Sequence, residues 1–132
     1  MWYNALCFVR DLDLKFGKGK LVQRTDSIIG KIRENYTKVF WCEERNHLAD
    51  YVDEHEHGQN IFTRPNQLIA CCVKYSPLDD VTKMAVLTAV KKELLTVRGI
   101  RSLSPKNPLY RGVYEGDQGS RDIAHFNGCA FP

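Results

Sequence analysis

Between Leu21 and Phe40 the residues Val22, Thr25, Ile28, Ile29, Ile32, Tyr36, Val39 and Phe40, all but Thr25 apolar or aromatic, recur at helical spacing on one face, while Arg24, Lys31, Arg33, Glu34 and Lys38 fill the opposite face. A stretch divided in this way is an amphipathic surface helix, and its apolar stripe has to rest on another element. The nearest candidate precedes it. Trp2 to Phe16 carries Trp2, Ala5, Leu6, Val9, Leu12 and Phe16 at the same spacing, and Gly17-Lys18-Gly19-Lys20 breaks the pattern. Together the two segments predict a helical hairpin with a short connection. Trp2 already sits in the stripe with no capping residue ahead of it, as though the chain began within an element.

Residues Trp41 to Phe62 are less regular. His47 to Asp53 reads as a short strand or extended segment, and Glu54-His55-Glu56-His57-Gly58 as a turn. Thr63-Arg64-Pro65-Asn66-Gln67 opens a third helix, with proline in the first turn where its missing donor does no harm. The helix continues through Leu68-Ile69-Ala70-Cys71-Cys72-Val73, apolar all round, which predicts burial on every side. Ser76-Pro77-Leu78-Asp79 supplies a start signal for a fourth helix, with Asp79 and Asp80 near its positive end. That helix is expected to run to about Thr96, to turn Val81, Met84, Ala85, Thr88, Leu94 and Leu95 inward, and to stop at Gly99. Alternating inner and outer helices suggest an all-α architecture, an arc of an α/α toroid made of two hairpins. Two hairpins cannot close a ring, so a large apolar face would remain uncovered.

Tyr110 to Gly128 is of another kind. It holds Glu115, Asp117 and Asp122, two arginines, two tyrosines, His125 and Asn127, with four glycines where the backbone can bend. Too many of these groups need polar partners for a core helix or an ordinary strand. A solvated surface loop and a polar binding loop over a pocket both fit this composition.

With 132 residues the chain has room for one domain. Its net charge of +3 comes from lysines and arginines scattered along the sequence, which gives no nucleic-acid footprint. No apolar run approaches the ~20 residues of a membrane span, and no basic-then-apolar leader is present. These features point to a soluble cytoplasmic protein. Cys7, Cys42, Cys71, Cys72 and Cys129 are an odd set without paired spacing, which favours reduced thiols. Cys42, His47, His55 and His57 raise the idea of a zinc site, but the spacing lacks a second cysteine in register, and a solvated turn is the simpler reading.

Several short pieces occur in one order: Trp2-Tyr3-Asn4-Ala5-Leu6, Phe40-Trp41, Asp50-Tyr51-Val52-Asp53, Arg64-Pro65-Asn66-Gln67, Glu93-Leu94-Leu95-Thr96, Leu103-Ser104-Pro105, Tyr110 to Asp117, Arg121-Asp122 and His125-Phe126-Asn127-Gly128. The series resembles the C-terminal amylo-α-1,6-glucosidase domain of glycogen debranching enzymes over nearly the whole chain. The resemblance implies an (α/α)6 toroid with a sugar site at its centre. It also implies inverting hydrolysis of a single α-1,6-linked glucose at a glycogen branch point. The family commonly ends this region Tyr-His-Gln-Gly-Thr-Val-Trp-Pro, where this chain has Ala124-His125-Phe126-Asn127-Gly128-Cys129-Ala130-Phe131-Pro132, and Gly119 stands where a bulkier residue is usual.

Inverting glycosidases need an acid and a base roughly 6.5–9.5 Å apart. The resemblance places the acid before Trp2 and the base after Pro132, so no catalytic residue is assigned within the chain and the isolated chain is expected to be inactive. Glu115 and Asp117 become substrate ligands rather than a catalytic pair. Arg64 is either a partner for a nearby acid or a sugar ligand. Asn66, a capping candidate, and Gln67 point from the same helix start. Tyr114, Arg121, Asp122 and His125 complete the expected substrate-binding set. For His125 a structural hydrogen bond is the plainer role, for Trp41 a core or loop anchor, and for Asp50 and Asp53 loop stabilisation. The implied partner is an α-glucan such as glycogen or a limit dextrin, with no cofactor and with self-association through the uncovered face. The competing reading is a non-catalytic helical scaffold or carbohydrate-binding remnant.

Overall fold

The computed structural model describes residues 1–53 and 58–131. Among them are five helices and seven short strands. Helix α1 (Trp2–Phe16) and helix α2 (Val22–Phe40) pack against each other as the expected hairpin. Strands β1 (Trp41–Cys42) and β2 (His47–Leu48) follow as an antiparallel pair, then β3 (Tyr51–Val52) and β4 (Gln59–Asn60) as another. Helix α3 (Gln67–Cys72) packs on α4 (Asp80–Glu93). Strands β5 (Leu95–Thr96), β6 (Gly99–Arg101) and β7 (Ala130–Phe131) form a three-stranded antiparallel sheet, with helix α5 (Gln118–Phe126) before the last strand.

The all-α expectation, an arc of an (α/α)6 toroid, is therefore overturned: the chain is mixed, with three small antiparallel sheets beside its helices. Local chemistry explains the difference at β5–β6. The α4 helix does not reach Thr96 but ends at Glu93, where the Leu94 carbonyl accepts from the amide of Arg101 at 2.9 Å. Leu95 then pairs with Ile100 and Thr96 with Gly99, so Gly99 serves a hairpin rather than a helix stop. Its φ of 146° suits a tight return better than any side-chain-bearing residue would.

Two apolar clusters hold the molecule. Leu48, Leu78, Val86, Val90 and Leu94 form the larger, with Tyr36, Phe40 and Trp41 packed against it. Tyr3, Leu6, Cys7 and Ile29 form the smaller, between α1 and α2. Tyr75 joins them: its amide donates to Asn4 Oδ1 at 3.0 Å and its hydroxyl donates to Asp11. Within the smaller cluster, Arg33 donates twice to the Tyr3 hydroxyl, at 3.1 and 2.9 Å, and this contact raises the guanidinium above its ordinary pKa.

Three face assignments change. On α1 the inward residues are Tyr3, Leu6 and Cys7, while Trp2, Ala5, Val9, Leu12 and Phe16 face solvent. Helix α3 is not buried all round, since Ile69 and Cys72 are exposed. On α4 the start signal holds, as Asp79 accepts from the Thr82 amide at 2.7 Å. Its inward face, however, is Val86, Val90 and the following Leu94, with Val81, Met84, Thr88 and Leu95 outside. The apolar set on α4 extends almost all round the helix, so spacing alone could not select the buried side.

Candidate functional site

The polar stretch divides in two. Residues 110–116 remain irregular, and α5 follows as a surface helix that buries Ala124. It begins where the Asp117 carboxylate accepts from the Ser120 amide at 2.8 Å, satisfying a donor that the first helical turn leaves unpaired. The hydrogen bond holds the Asp117 carboxyl below its ordinary value, because the charged form is the better acceptor. The expectation of one long loop is thus corrected, and the missed signal was the Asp117 to Ser120 spacing ahead of an amphipathic run.

Between the irregular segment and α5 lies an open cleft of about 530 Å³, lined by Tyr110, Arg111, Val113, Glu115, Ser120 and Ile123 among others. Close approach builds its floor. The Tyr110 ring lies against both Gly112 and Gly128; a side chain at Gly112 would collide with the Tyr110 hydroxyl. One at Gly128 would meet the ring at 2.6 Å and the Arg111 carbonyl at 2.7 Å. The segment is stitched down by the Arg111 amide donating to the Asn127 carbonyl at 2.7 Å and the Gly128 amide donating to Ser102 Oγ at 2.8 Å.

Glu115 and Tyr114 are exposed, and neither side chain has a hydrogen-bond partner among the described residues. On α5, Arg121 donates to the Gly116 carbonyl at 2.9 Å and to Gln118 Oε1 at 3.2 Å, and Asp122 accepts from Gln118 Nε2 at 2.7 Å. These bonds stiffen the start of the helix. His125 is exposed and lies edge-on to Phe126 and Phe131, with ring centroids 4.9 and 4.8 Å away.

Arg64 sits at the other end of α5. It pairs with Asp50 at 3.3 Å and donates to the carbonyls of Ser102 and Phe126 and to Asn127 Oδ1. The guanidinium thus ties the loop before α3 to the C-terminus of α5 and to the segment after β6. Asn66 makes no cap bond but donates to Asp50 Oδ1 at 3.0 Å. Gln67 is buried, accepting from the Leu48 amide and donating to the Arg64 carbonyl. With α5 spanning ~13 Å at 1.5 Å per residue, this group and the Asp117 cap occupy opposite ends of the helix, and the cleft runs along it as far as Ile123 and Ala124.

The carboxyls with resolved shifts, Asp79, Glu93 and Asp117, all move down. At Glu93 burial acts upward, but hydrogen bonds from Lys106, Ser104 and Thr63 outweigh it. A depressed carboxyl is a poor proton donor near neutrality. Trp41 lies against the larger core, with its indole donating to Glu43 Oε2 at 2.6 Å. His47 is buried, its Nδ1 2.9 Å from the Leu48 carbonyl and its Nε2 3.2 Å from Thr63 Oγ1. Among the described residues no group of three histidine, cysteine or acidic side chains could hold a metal ion; His55 and His57, and the turn expected there, lie outside them. No helix among the described residues is long and apolar enough to cross a membrane.

Residues 1–132 match the model of a glycoside hydrolase family. The chain belongs to the amylo-alpha-1,6-glucosidase family, which bears out the resemblance drawn from its ordered motifs. Neither the curated proteins nor the solved structures provide a match.

Proposed function

We propose that this chain supplies glucan-contacting groups to a glycogen debranching glucosidase, which removes α-1,6-linked glucose at branch points with inversion. The observation that carries this reading is the cleft beside α5 in a chain of this family. Its volume lies in the range of small-molecule sites. Glu115 and Tyr114 stand free at or beside it, and Arg111 lines it. A carboxylate can accept from two neighbouring sugar hydroxyls, a guanidinium can donate to them, and a tyrosine face covers the apolar side of a pyranose.

The isolated chain binds without hydrolysing. Inversion requires one carboxyl that gives a proton and another that activates water. Asp117 is engaged by the Ser120 amide with its proton held too low for the first task, so Glu115 has no acid beside it at that position. Arg64 acts on the glucan indirectly, by holding the end of α5 at Phe126 and Asn127, and Asn66 and Gln67 support it through Asp50 and the Arg64 carbonyl.

The test is a titration of the chain with linear maltooligosaccharide and with a maltooligosaccharide carrying one α-1,6-linked glucose. Amide shifts are followed at Gly112, Glu115 and Gly116, and free glucose is assayed. Saturable shifts at these amides without glucose release are expected, and Glu115→Gln should weaken binding at least fivefold. Absence of any saturable shift would favour the scaffold reading. Glucose release would overturn the claim that the chain alone is inactive.

A further inference from the structure

Between α1, α2 and the segment joining α3 to α4 lies a second cavity of about 500 Å³, which shares no residue with the cleft beside α5. Arg10, Arg33, Lys74 and Lys83 line it, against two carboxylates, Asp11 and Asp26. Part of this charge is already matched. Arg10 pairs with Asp26 and, at 3.5 Å, with Asp11, which also accepts from the Tyr75 hydroxyl. Lys83 pairs with Asp80 at 3.0 Å. Arg33 and Lys74 have no ion pair among the described residues, so the positive excess falls on these two.

The donors are held in advance. Arg33 gives Nε and Nη2 to the Tyr3 hydroxyl at 3.1 and 2.9 Å, which leaves Nη1 uncommitted. Tyr3 is only 5% exposed. Its hydroxyl accepts twice and keeps its own proton without an acceptor among the described residues. A polar hydrogen on so buried a side chain normally has a partner. Lys74 Nζ stands over the Tyr75 ring, 4.7 Å from its centroid. Gly30, one turn ahead of Arg33 on α2, also lines the cavity, and a Cβ there would meet nothing within 4 Å. Glycine inside a helix is costly relative to alanine, and packing gives no reason for it at this position. What the missing side chain does is keep the cavity wall open.

We infer that this cavity binds the phosphate group of a small molecule, with Arg33, Lys74 and the Tyr3 hydroxyl as donors. Two unneutralised cations match a dianion, and a phosphate group presents three acceptor oxygens to the three donors. A carboxylate, with one charge and two oxygens, would leave a donor idle. Free phosphate and a phosphoester share this chemistry. The volume lies in the range of small-molecule sites, and Ile29 and Cys7 would wall the body of a phosphoester. The inference does not rest on the glucan reading.

The test is a titration of the whole chain with inorganic phosphate, with glucose 6-phosphate and with glucose, at ionic strength held constant with chloride. Amide shifts are followed at Gly30, Arg33 and Tyr75. Saturable shifts with both phosphates and none with glucose are expected. Tighter binding of glucose 6-phosphate identifies a phosphoester site, and equal affinity identifies a site for the free ion. Lys74→Gln alters an exposed residue without an ion pair and should weaken binding roughly tenfold. Gly30→Leu fills the cavity without touching a charge, and should abolish the shifts while keeping the helical circular dichroism. The inference is overturned if neither phosphate gives a saturable shift, or if chloride or glucose reproduces the shifts. It is equally overturned if Lys74→Gln or a folded Gly30→Leu binds phosphate like the wild type.

Discussion

Asp117 and Arg64 fix the two ends of α5 by different chemistry, and their responses to change should differ. The Asp117 carboxyl lies below its ordinary value of 3.8 because its charged form caps the helix. A folded-state value below the unfolded one contributes stability that is present above the unfolded value and lost as pH falls through the folded one. The Ser120 amide signal should therefore move as pH falls below 3.8, and Asp117→Asn, which still caps, should remove that titration. Arg64 is sheltered and holds Asp50, two carbonyls and Asn127 at once. Arg64→Ala leaves these acceptors without their donor and should cost ~3 kcal/mol in urea unfolding. At Gly128, φ is 155° and an added methyl would meet both the Tyr110 ring and the Arg111 backbone. Gly128→Ala should lower stability by about 2 kcal/mol or more, with the largest amide shifts at Tyr110 to Gly112.

At the scale of elements, burial rather than hydrophobicity decides the outcome. Leu94→Ala removes a side chain with no exposed area from the larger core and should cost ~3 kcal/mol. Val81→Thr, on the same helix but 81% exposed, should stay within about 0.5 kcal/mol. Thermal or chemical unfolding of the two variants separates the cases. The same contrast shows what periodicity could convey. The extent of α1 and most of the inward face of α2 were legible because polar and apolar residues alternate at one clear period. On α1 the stripe chosen by spacing was the exposed one, since two apolar faces satisfy the same count. The β5–β6 hairpin was hidden because Leu95 and Thr96 continue an apolar-polar run that a helix also fits. In the candidate site, the polar make-up of Tyr110 to Gly128 was legible from its acids, arginines and glycines, but which of its acids is paired was not. The Arg64 cluster was not, because its partners come from residues 50, 102, 126 and 127, which only the fold brings together.

At the scale of the whole molecule, the two apolar clusters are unequal. The larger has Val86 and Leu94 fully excluded from solvent, whereas every buried member of the smaller keeps 5–8% exposure. Regions with fewer excluded side chains open at lower free energy. Native-state hydrogen exchange should therefore show the α1–α2 amides exchanging ahead of those in α4, and adding the Tyr75→Phe change should widen the gap by removing the Asp11 contact. The cleft obeys a different logic. Glycines at 112 and 116, a serine at 120 and an alanine at 124 line much of it, alongside a tyrosine held in place by neighbouring backbone. Substitution has little to trim there and no room to add. On the proposed glucan reading, any change in what this surface accommodates would have to be written on the rim, at Val113, Glu115 and Ile123, with the base left as it stands.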